Sequence, residues 1–243
     1  MGGIILLVFI FGLFLGSFYN VVGLRTLKNE SIAFPPSHCT ICKHKLGVMD
    51  LVPVISWLSL GGKCRYCKSP ISAIYPFGEL FTALGYAVVV WRFGLTLYAI
   101  PHLVLITVLA MATASDLKEM EVPDRFVVVG LIVNIILRII IQDGLIYYVA
   151  SGIACFVILY LVMILSKGGM GGADVKMYAL IGLTMGMFDG LATLFYAAIL
   201  GVIYNLPKLL SKKVGRKTEL PMIPLISLGV VIVYIFNIYE YLM

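Results

Sequence analysis

Residues 97–124 have the sequence LYAIPHLVLITVLAMATASDLKEMEVPD, an apolar run that ends in a cluster of acidic residues. The first part, residues 97–115, contains no Asp, Glu, Lys or Arg. A helix rises about 1.5 Å per residue, so about 20 apolar residues are needed to cross a hydrocarbon core of about 30 Å. This stretch therefore predicts a membrane-spanning helix with several carboxylates at its end.

The same apolar pattern recurs along the chain. Seven further runs have a suitable composition, at residues 4–24, 73–91, 125–141, 145–165, 175–188, 190–207 and 222–239. Hydrophobic residues make up 61% of the 243 residues, charged residues only 12%, and the mean hydropathy is +1.06, far above the usage of soluble proteins. The sequence predicts an all-α polytopic membrane protein with about eight transmembrane helices. We expect the first helix to be retained, because residues 1–24 lack the basic segment and cleavage site of a signal peptide.

The basic residues predict the orientation, because Lys and Arg accumulate in cytoplasmic loops. Arg92 and Arg138 lie on one side of the predicted membrane, and sixteen others lie in the odd-numbered loops. These sixteen are Arg25, Lys28, Lys43, Lys45, Lys63, Arg65, Lys68, Lys118, Arg125, Lys167, Lys176, Lys208, Lys212, Lys213, Arg216 and Lys217. We expect these loops in the cytoplasm and both termini outside. The net charge of +6 follows from this topology and from contact with the lipid bilayer, and it needs no nucleic-acid partner.

The loop between the first two runs carries a metal-binding pattern. We divide the chain into a first transmembrane helix (1–24), a cytoplasmic loop domain (25–72) and a seven-helix membrane core (73–243). The loop contains the pairs CTIC and CRYC, 21 residues apart, a spacing typical of a structural Zn²⁺ site with four thiolates. The predicted ligands are Cys39, Cys42, Cys64 and Cys67. Redox dithiols, or a mixed site in which His38 or His44 replaces a thiolate, are the alternatives.

Acidic residues at the ends of membrane helices are candidates for chemistry, because charge at membrane depth is costly. Asp116 ends its helix, where a negative charge opposes the helix dipole, so its presence requires another reason. Asp124 follows Pro123 at the start of the next helix, where it is expected to serve as a cap. Glu119 and Glu121 are interpreted as solvated loop charges or as substrate contacts.

A second candidate carboxylate follows the glycine-rich stretch GGMGGADVKM at residues 168–177. Asp174 begins a helix, and glycines before it allow a substrate backbone to approach closely. Lys176 lies about 200° around the helix from Asp174, so we expect it to be a surface charge, with substrate binding or support of the site as the alternative. If packing joined Asp116 and Asp174, the two carboxylates would share a proton and could activate water for peptide hydrolysis. The alternatives are two unrelated helix caps or a proton relay in a transporter.

Three other residues have weaker patterns. Glu79 follows Pro76 near the start of the second apolar run. There it is expected to interact favourably with the positive end of the helix dipole; the alternatives are that it contacts substrate or orients a loop residue. His102 and Cys155 are interpreted as packing residues within apolar helices.

Five segments together resemble the type IV prepilin peptidases, membrane aspartic proteases related to the archaeal preflagellin peptidases. They are GSFYNVVGLR at 16–25, the four-cysteine segment at 35–72, YPFGELFTA at 75–83, DLKEMEVPD at 116–124 and GMGGADVKM at 169–177. The resemblance covers most of the chain. It implies catalytic roles for Asp116 and Asp174, with Gly171 and Gly172 as supporting loop residues. The family's usual GxGD motif has Ala173 before Asp174 here, and a side chain at that position would disfavour a positive φ.

The resemblance also implies a substrate and a second activity. Substrates of the family are prepilins and pseudopilins, with a basic cytoplasmic leader cleaved between Gly and Phe just before an apolar helix. Many members then methylate the new N-terminus with S-adenosylmethionine, in the bacterial cytoplasmic (inner or plasma) membrane. No dinucleotide-binding glycine motif marks a donor site, and the pilin system served is left open. The rival interpretation is a transporter or assembly factor with a structural zinc module and no enzymatic activity.

Overall fold

The computed structural model describes residues 1–166, 170–210 and 220–236, with the side chains of 207–210 left out. In this part of the chain the secondary structure is helical, apart from two isolated β-bridges in the cysteine loop. The helices are α1 (Gly2–Leu27), α2 (Ile55–Ser59), α3 (Ile74–Phe93), α4 (Ala99–Glu119), α5 (Asp124–Ile141), α6 (Leu145–Leu165), α7 (Gly172–Met185), α8 (Met187–Leu210) and α9 (Ile223–Phe236). The all-α prediction is confirmed.

Five of the described helices are long and apolar enough to cross a membrane: α1, α3, α4, α6 and the part of α8 up to Leu206. Helix α5 includes three charged residues, and α7 and α9 have 14 residues each. Large apolar side chains are exposed on α1, α5, α6 and α8, as expected for surfaces in contact with lipid. The multi-pass character is thus supported, and eight spans stay a prediction.

Some predicted features lie outside the described residues. They are Lys167, Gly168 and Gly169, the basic residues Lys212, Lys213, Arg216 and Lys217, and the last residues, 237–239, of the eighth apolar run.

Helix boundaries differ from the predicted runs at two places. Helix α1 continues to Leu27, so the cysteine loop begins three residues later than expected. Helix α7 begins at Gly172 and ends at Met185, and its C-cap residue Gly186 has a φ of +89°. Glycine reaches such a left-handed φ at little cost, so the chain turns there and α8 starts at once at Met187.

Helix α4 lies at the centre of the bundle and packs against α1, α3, α5, α7 and α9. Helix α7 packs against α4, α5, α6 and α8. Both helices are largely buried, with a core of apolar side chains such as Leu105, Leu109, Tyr178 and Ile181. We call the end of the bundle where α4 ends and where α5, α7 and α9 begin the aspartate end.

Glycines set the distance between neighbouring helices. A Cβ atom added at Gly16 of α1 would lie 2.7 Å from the Cα of Glu79 in α3. At Gly182 of α7 it would lie 2.7 Å from the backbone oxygen of Ser151 in α6. Such close backbone approach is typical of membrane helices that associate through small residues.

Candidate active site and metal centre

Asp116 lies in the last turn of α4 and is 7% exposed. Its Oδ2 accepts a hydrogen bond of 3.0 Å from the backbone N–H of Ile223, the first residue of α9. The carboxylate therefore faces the positive end of a neighbouring helix, which offsets the unfavourable dipole of its own helix. Sequence reasoning missed this partner, which is 107 positions away.

Asp174 is the third residue of α7 and is 5% exposed. Its carboxylate contacts the Gly171 backbone N–H and interacts electrostatically with Asp116. Helices α4 and α7 pack against each other, so the two aspartates lie at the same end of the bundle. A pair of buried carboxylates in this arrangement can hold one proton between them and polarise a water molecule.

The glycines before Asp174 leave space beside its carboxylate. Gly171 has extended backbone angles, and a Cβ atom there would lie 3.1 Å from Oδ2 of Asp174. A Cβ atom at Gly172 would meet no heavy atom within 4 Å. Ala173 is the second residue of α7 and is not among the residues with positive φ. Alanine favours helix, so the expected strain at this departure from the family motif is absent.

Lys176 forms an ion pair with Asp124, at 2.7 Å from Oδ1 and 2.8 Å from Oδ2. This pair joins α7 to α5 on the surface, and it agrees with the expectation that Lys176 points away from Asp174. The prediction that the Asp124 side chain caps its helix was wrong as to the hydrogen bond, because the N-cap residue is Pro123 and no side-chain hydrogen bond caps α5. Asp124 does lie in the first turn, near the positive end of the helix dipole, as expected.

Glu79 is 6% exposed, and it connects α3 to the cysteine loop. Helix α3 begins at Ile74, so Glu79 lies in the second turn rather than near the first backbone N–H groups. Its Oε2 accepts a hydrogen bond of 2.7 Å from the backbone N–H of Val54. Val54 has a φ of +61°, which is unusual for a β-branched residue and requires support from its surroundings. The structure thus places Glu79 against a loop residue.

The four predicted cysteine ligands converge within the loop. Their Sγ atoms all lie within 4.8 Å of one another, and the Sγ atoms of Cys39 and Cys67 are 3.8 Å apart. A tetrahedral site with Zn–S bonds of about 2.3 Å has S···S edges of about 3.8 Å, so the cluster fits such an ion. Both pairs form the same turn, because the N–H of the lysine after each pair donates to the first cysteine's carbonyl.

Local contacts favour thiolate at Cys39 and Cys67, whereas desolvation and the hydrogen bonds to Cys39 and Cys67 raise the pKa of the Cys42 thiol to about 11. The N–H groups of Cys42 and Ile41 lower the pKa of the Cys39 thiol to about 6. The Ser69 hydroxyl and backbone lower the pKa of the Cys67 thiol in the same way. Thiolate is the form that binds a metal ion, so these contacts suit a metal centre.

The two histidines near the cluster have other contacts. His38 Nδ1 lies 2.9 Å from the carbonyl oxygen of Pro36, and the His44 ring packs on Tyr66 at 3.6 Å between centroids. Neither histidine belongs to the candidate metal cluster found among the described residues. These contacts favour the four-thiolate interpretation over the mixed site.

Asp50 connects the two halves of the loop. It accepts hydrogen bonds from Arg65 Nε at 2.6 Å, from Tyr66 and from the Gly47 N–H. The bond from Arg65 is the main reason why the pKa of Asp50 lies below its usual value. Outside the loop, His102 is a packing residue as predicted, stacked on Phe93 and hydrogen-bonded to Tyr234 at 2.8 Å. Cys155 is fully buried, as expected of an apolar filler.

A polar cavity of about 520 Å³ lies at the aspartate end, between the Gly171–Gly172 segment, the end of α1 and the loop before α5. Arg125 bridges two of these walls, because its Nη2 donates to the Thr26 carbonyl at 2.7 Å and to Asn29 Oδ1 at 3.2 Å. Sequence reasoning treated Arg125 only as a topology signal and missed this contact. In the sequence, the only indication of a role at the site is that Arg125 directly follows the acidic cluster.

Two families of known proteins match this chain, one in its N-terminal region and one in the region that follows. Residues 10–93 match the bacterial peptidase A24 N-terminal domain, and residues 103–206 match the type IV leader peptidase family. A protein named prepilin leader peptidase/N-methyltransferase from Bacillus subtilis (strain 168) is 33% identical over 95% of this chain and 94% of its own length. The chain belongs to the type IV leader peptidase family.

Other relatives in the leader peptidase family carry similar names. A prepilin leader peptidase/N-methyltransferase of Myxococcus xanthus is 31% identical over 87% of this chain, which spans 65% of that protein. A type 4 prepilin-like proteins leader peptide-processing enzyme of Escherichia coli O78:H11 is 29% identical over 90% of this chain and 88% of its own length. No solved structure matches the chain.

The two matched regions divide the candidate sites. The four cysteines and Glu79 lie in the N-terminal region, and both buried aspartates lie in the region matched to the leader peptidase family. The cysteine cluster and the carboxylate pair therefore lie in separate parts of the leader peptidase chain.

Proposed function

We propose that this protein is a membrane aspartic endopeptidase that removes the leader peptide of type IV prepilins and pseudopilins. Membership of the leader peptidase family supports this function. The observation that carries the mechanism is the buried pair of Asp116 and Asp174 at one end of the bundle. Gly171 and Gly172 leave room beside Asp174 for an extended substrate backbone.

The two carboxyl groups divide the chemistry between them. The ionised group takes a proton from water while the water oxygen bonds to the scissile carbonyl carbon, and the protonated group donates to the carbonyl oxygen. Breaking the C–N bond then requires a proton on the leaving nitrogen, which the first group returns, while the second group takes back its proton from the intermediate's hydroxyl as the carbonyl re-forms. The hydrogen bond from Ile223 holds one oxygen of Asp116 in place, so the carboxylate is oriented before substrate arrives.

Isosteric substitution of either aspartate tests the pair. Asp116→Asn keeps an oxygen that can accept the Ile223 N–H, so the protein should fold and insert normally. General acid–base catalysis contributes about 10²–10⁴-fold, so cleavage of a purified prepilin should fall by at least about 100-fold. Asp174→Asn should give the same loss. Asp143→Asn, in the exposed turn between α5 and α6, is the control and should cleave normally. Retained cleavage in either buried variant would overturn the proposed pair, whereas a wild-type protein that cleaves no prepilin would favour a protein with no enzymatic activity.

We further propose cleavage at a Gly–Phe junction on the cytoplasmic face of the bacterial inner membrane, followed by N-methylation of the new N-terminus with S-adenosylmethionine. The names of the relatives support the methylation. Transfer of labelled methyl from the donor to a cleaved pilin checks it. A pilin that is cleaved but takes up no label would leave the peptidase activity alone.

The cysteine loop is proposed to hold one structural Zn²⁺ ion on Cys39, Cys42, Cys64 and Cys67. Four thiolates fill a tetrahedral site and leave no open position for catalysis. The ion would stabilise a loop that is too short to bury much core of its own. The proposed division is the first helix (1–24), this loop domain (25–72) and the seven-helix peptidase core (73–243), which together give eight spans.

A further inference from the structure

An apolar cleft of about 360 Å³ opens between α1, α4 and α5. Helix α4 packs against both of the other helices and forms the floor. Val22 of α1 and Val129 and Val133 of α5 line the walls. Val129 is 58% exposed, so this wall faces the surroundings at membrane depth rather than the core.

The cleft leads to the candidate active site. It shares Thr26 and Arg125 with the polar cavity at the aspartate end. Met111, on its floor, precedes Asp116 by five residues in α4, which is about 7.5 Å along the helix axis. An apolar surface thus continues into a polar space bordered by the segment before Asp174.

The polar cavity is lined by two cations, Arg125 and Lys176, and by two carboxylates, Asp124 and Glu121. Arg125 donates to Thr26 and Asn29, and Lys176 is paired with Asp124. Glu121 also lines the cavity and is exposed. In the part of the chain that the structure describes, no hydrogen bond or ion pair holds its carboxylate. A positively charged segment in the cavity would find a free carboxylate there.

We infer that the cleft between α1 and α5 binds the apolar helix of the substrate, with the basic leader in the adjoining polar cavity. This inference rests on the proposed peptidase function. A substrate with an apolar helix in the membrane and a basic leader outside it matches the order of the apolar cleft and the polar cavity. The junction between leader and helix, where cleavage is proposed, would then lie at the boundary that the cleft and the cavity share. The alternative occupant is a phospholipid, with a chain in the apolar part and its phosphate beside Arg125 at the shared boundary.

Photo-crosslinking distinguishes prepilin from a phospholipid as the occupant of the cleft. A photoreactive benzoylphenylalanine is placed at Val129 in the Asp174→Asn protein, which retains uncleaved substrate, and prepilin is added in a bilayer. The matched control is the same probe at Val128, an adjacent valine that is 49% exposed and does not line the cleft. The expected result is a prepilin adduct at Val129 and little at Val128. Equal adducts at the two positions, or lipid adducts alone, would overturn the inference.

A steric variant gives an independent measurement in the active protein. Val129→Trp fills the cleft, so the KM for prepilin should rise about tenfold, equivalent to about 1.4 kcal/mol of binding, with kcat little changed. Val128→Trp should behave like the wild type. If the wild type cleaves prepilin and Val129→Trp has the same KM, the cleft is not the docking site although the peptidase function stands. If the wild type does not cleave, the proposed function itself fails.

Discussion

Asp116 illustrates how one carboxylate can have two roles. One of its oxygens accepts the first N–H of α9, which stabilises a buried charge at an unfavourable helix end. The same contact holds one of its carboxylate oxygens in place. Burial and a fixed position are what a carboxylate needs for acid–base chemistry, so the stabilising contact and the proposed catalytic role reinforce each other.

Glu79 provides a prediction at the same scale. Glu79→Ala removes the acceptor for the Val54 N–H, and an unsatisfied buried donor costs about 1–3 kcal/mol. Because Val54 has an unusual positive φ, the cysteine loop should detach locally from α3. Limited proteolysis should then cut the segment between α2 and α3 faster than in the wild type.

Two controls accompany this prediction. Glu79→Gln keeps an oxygen acceptor and should resist proteolysis better than the alanine variant. Glu119→Ala, at an exposed position, should have no effect. Equal proteolysis of the alanine and wild-type proteins would show that Glu79 does not hold the loop.

The contact between α1 and α3 depends on glycine, and this gives a prediction at the element scale. In Gly16→Ala the new methyl group would lie 2.7 Å from Glu79 Cα and 3.0 Å from the Gly78 oxygen. The helices must separate, at a cost of about 1–3 kcal/mol, so thermal unfolding in detergent should occur at a lower temperature. Gly201→Ala in α8 is the control, since its methyl group would meet Leu225 at an ordinary 3.5 Å. A Gly16→Ala protein as stable as the control would contradict the close approach.

The cysteine loop gives a second prediction for an element. Cys64→Ser should lose the zinc ion, because a neutral hydroxyl replaces one of four thiolates. Elemental analysis of the purified protein should find about one zinc per chain in the wild type and none in the variant. Cys155→Ala, which changes the fifth cysteine within α6, should retain the ion. Loss of zinc from His38→Ala or His44→Ala would instead support a mixed ligand set.

At the scale of the whole molecule, the distribution of Lys and Arg predicts an orientation in the membrane that can be measured. The turn between α5 and α6 is predicted to lie outside, and the loop between α4 and α5 in the cytoplasm. An impermeant maleimide should therefore label Gln142→Cys in intact cells. It should label Glu121→Cys only after the membrane is opened. The reverse pattern would place the candidate active site on the outer face.

Local sequence determined the features that need only neighbours along the chain. Apolar length predicted helices, since each helix satisfies its own backbone in lipid. The two CxxC pairs predicted the metal cluster, because each pair sets two sulfur atoms in a single turn. Alternation of the eight predicted spans also predicted that Asp116 and Asp174 lie on one side of the membrane.

Only the tertiary structure decided which residues meet across the bundle. Asp116 bonds to Ile223, Lys176 pairs with Asp124 and Glu79 holds Val54, over 107, 52 and 25 positions of sequence. These partners depend on how the helices rotate and pack, which is set by side-chain shape and by glycine contacts such as Gly16 against α3. The periodicity of a single helix carries no information about its neighbour. The sequence therefore determined which residues can do chemistry, and packing decided what surrounds them.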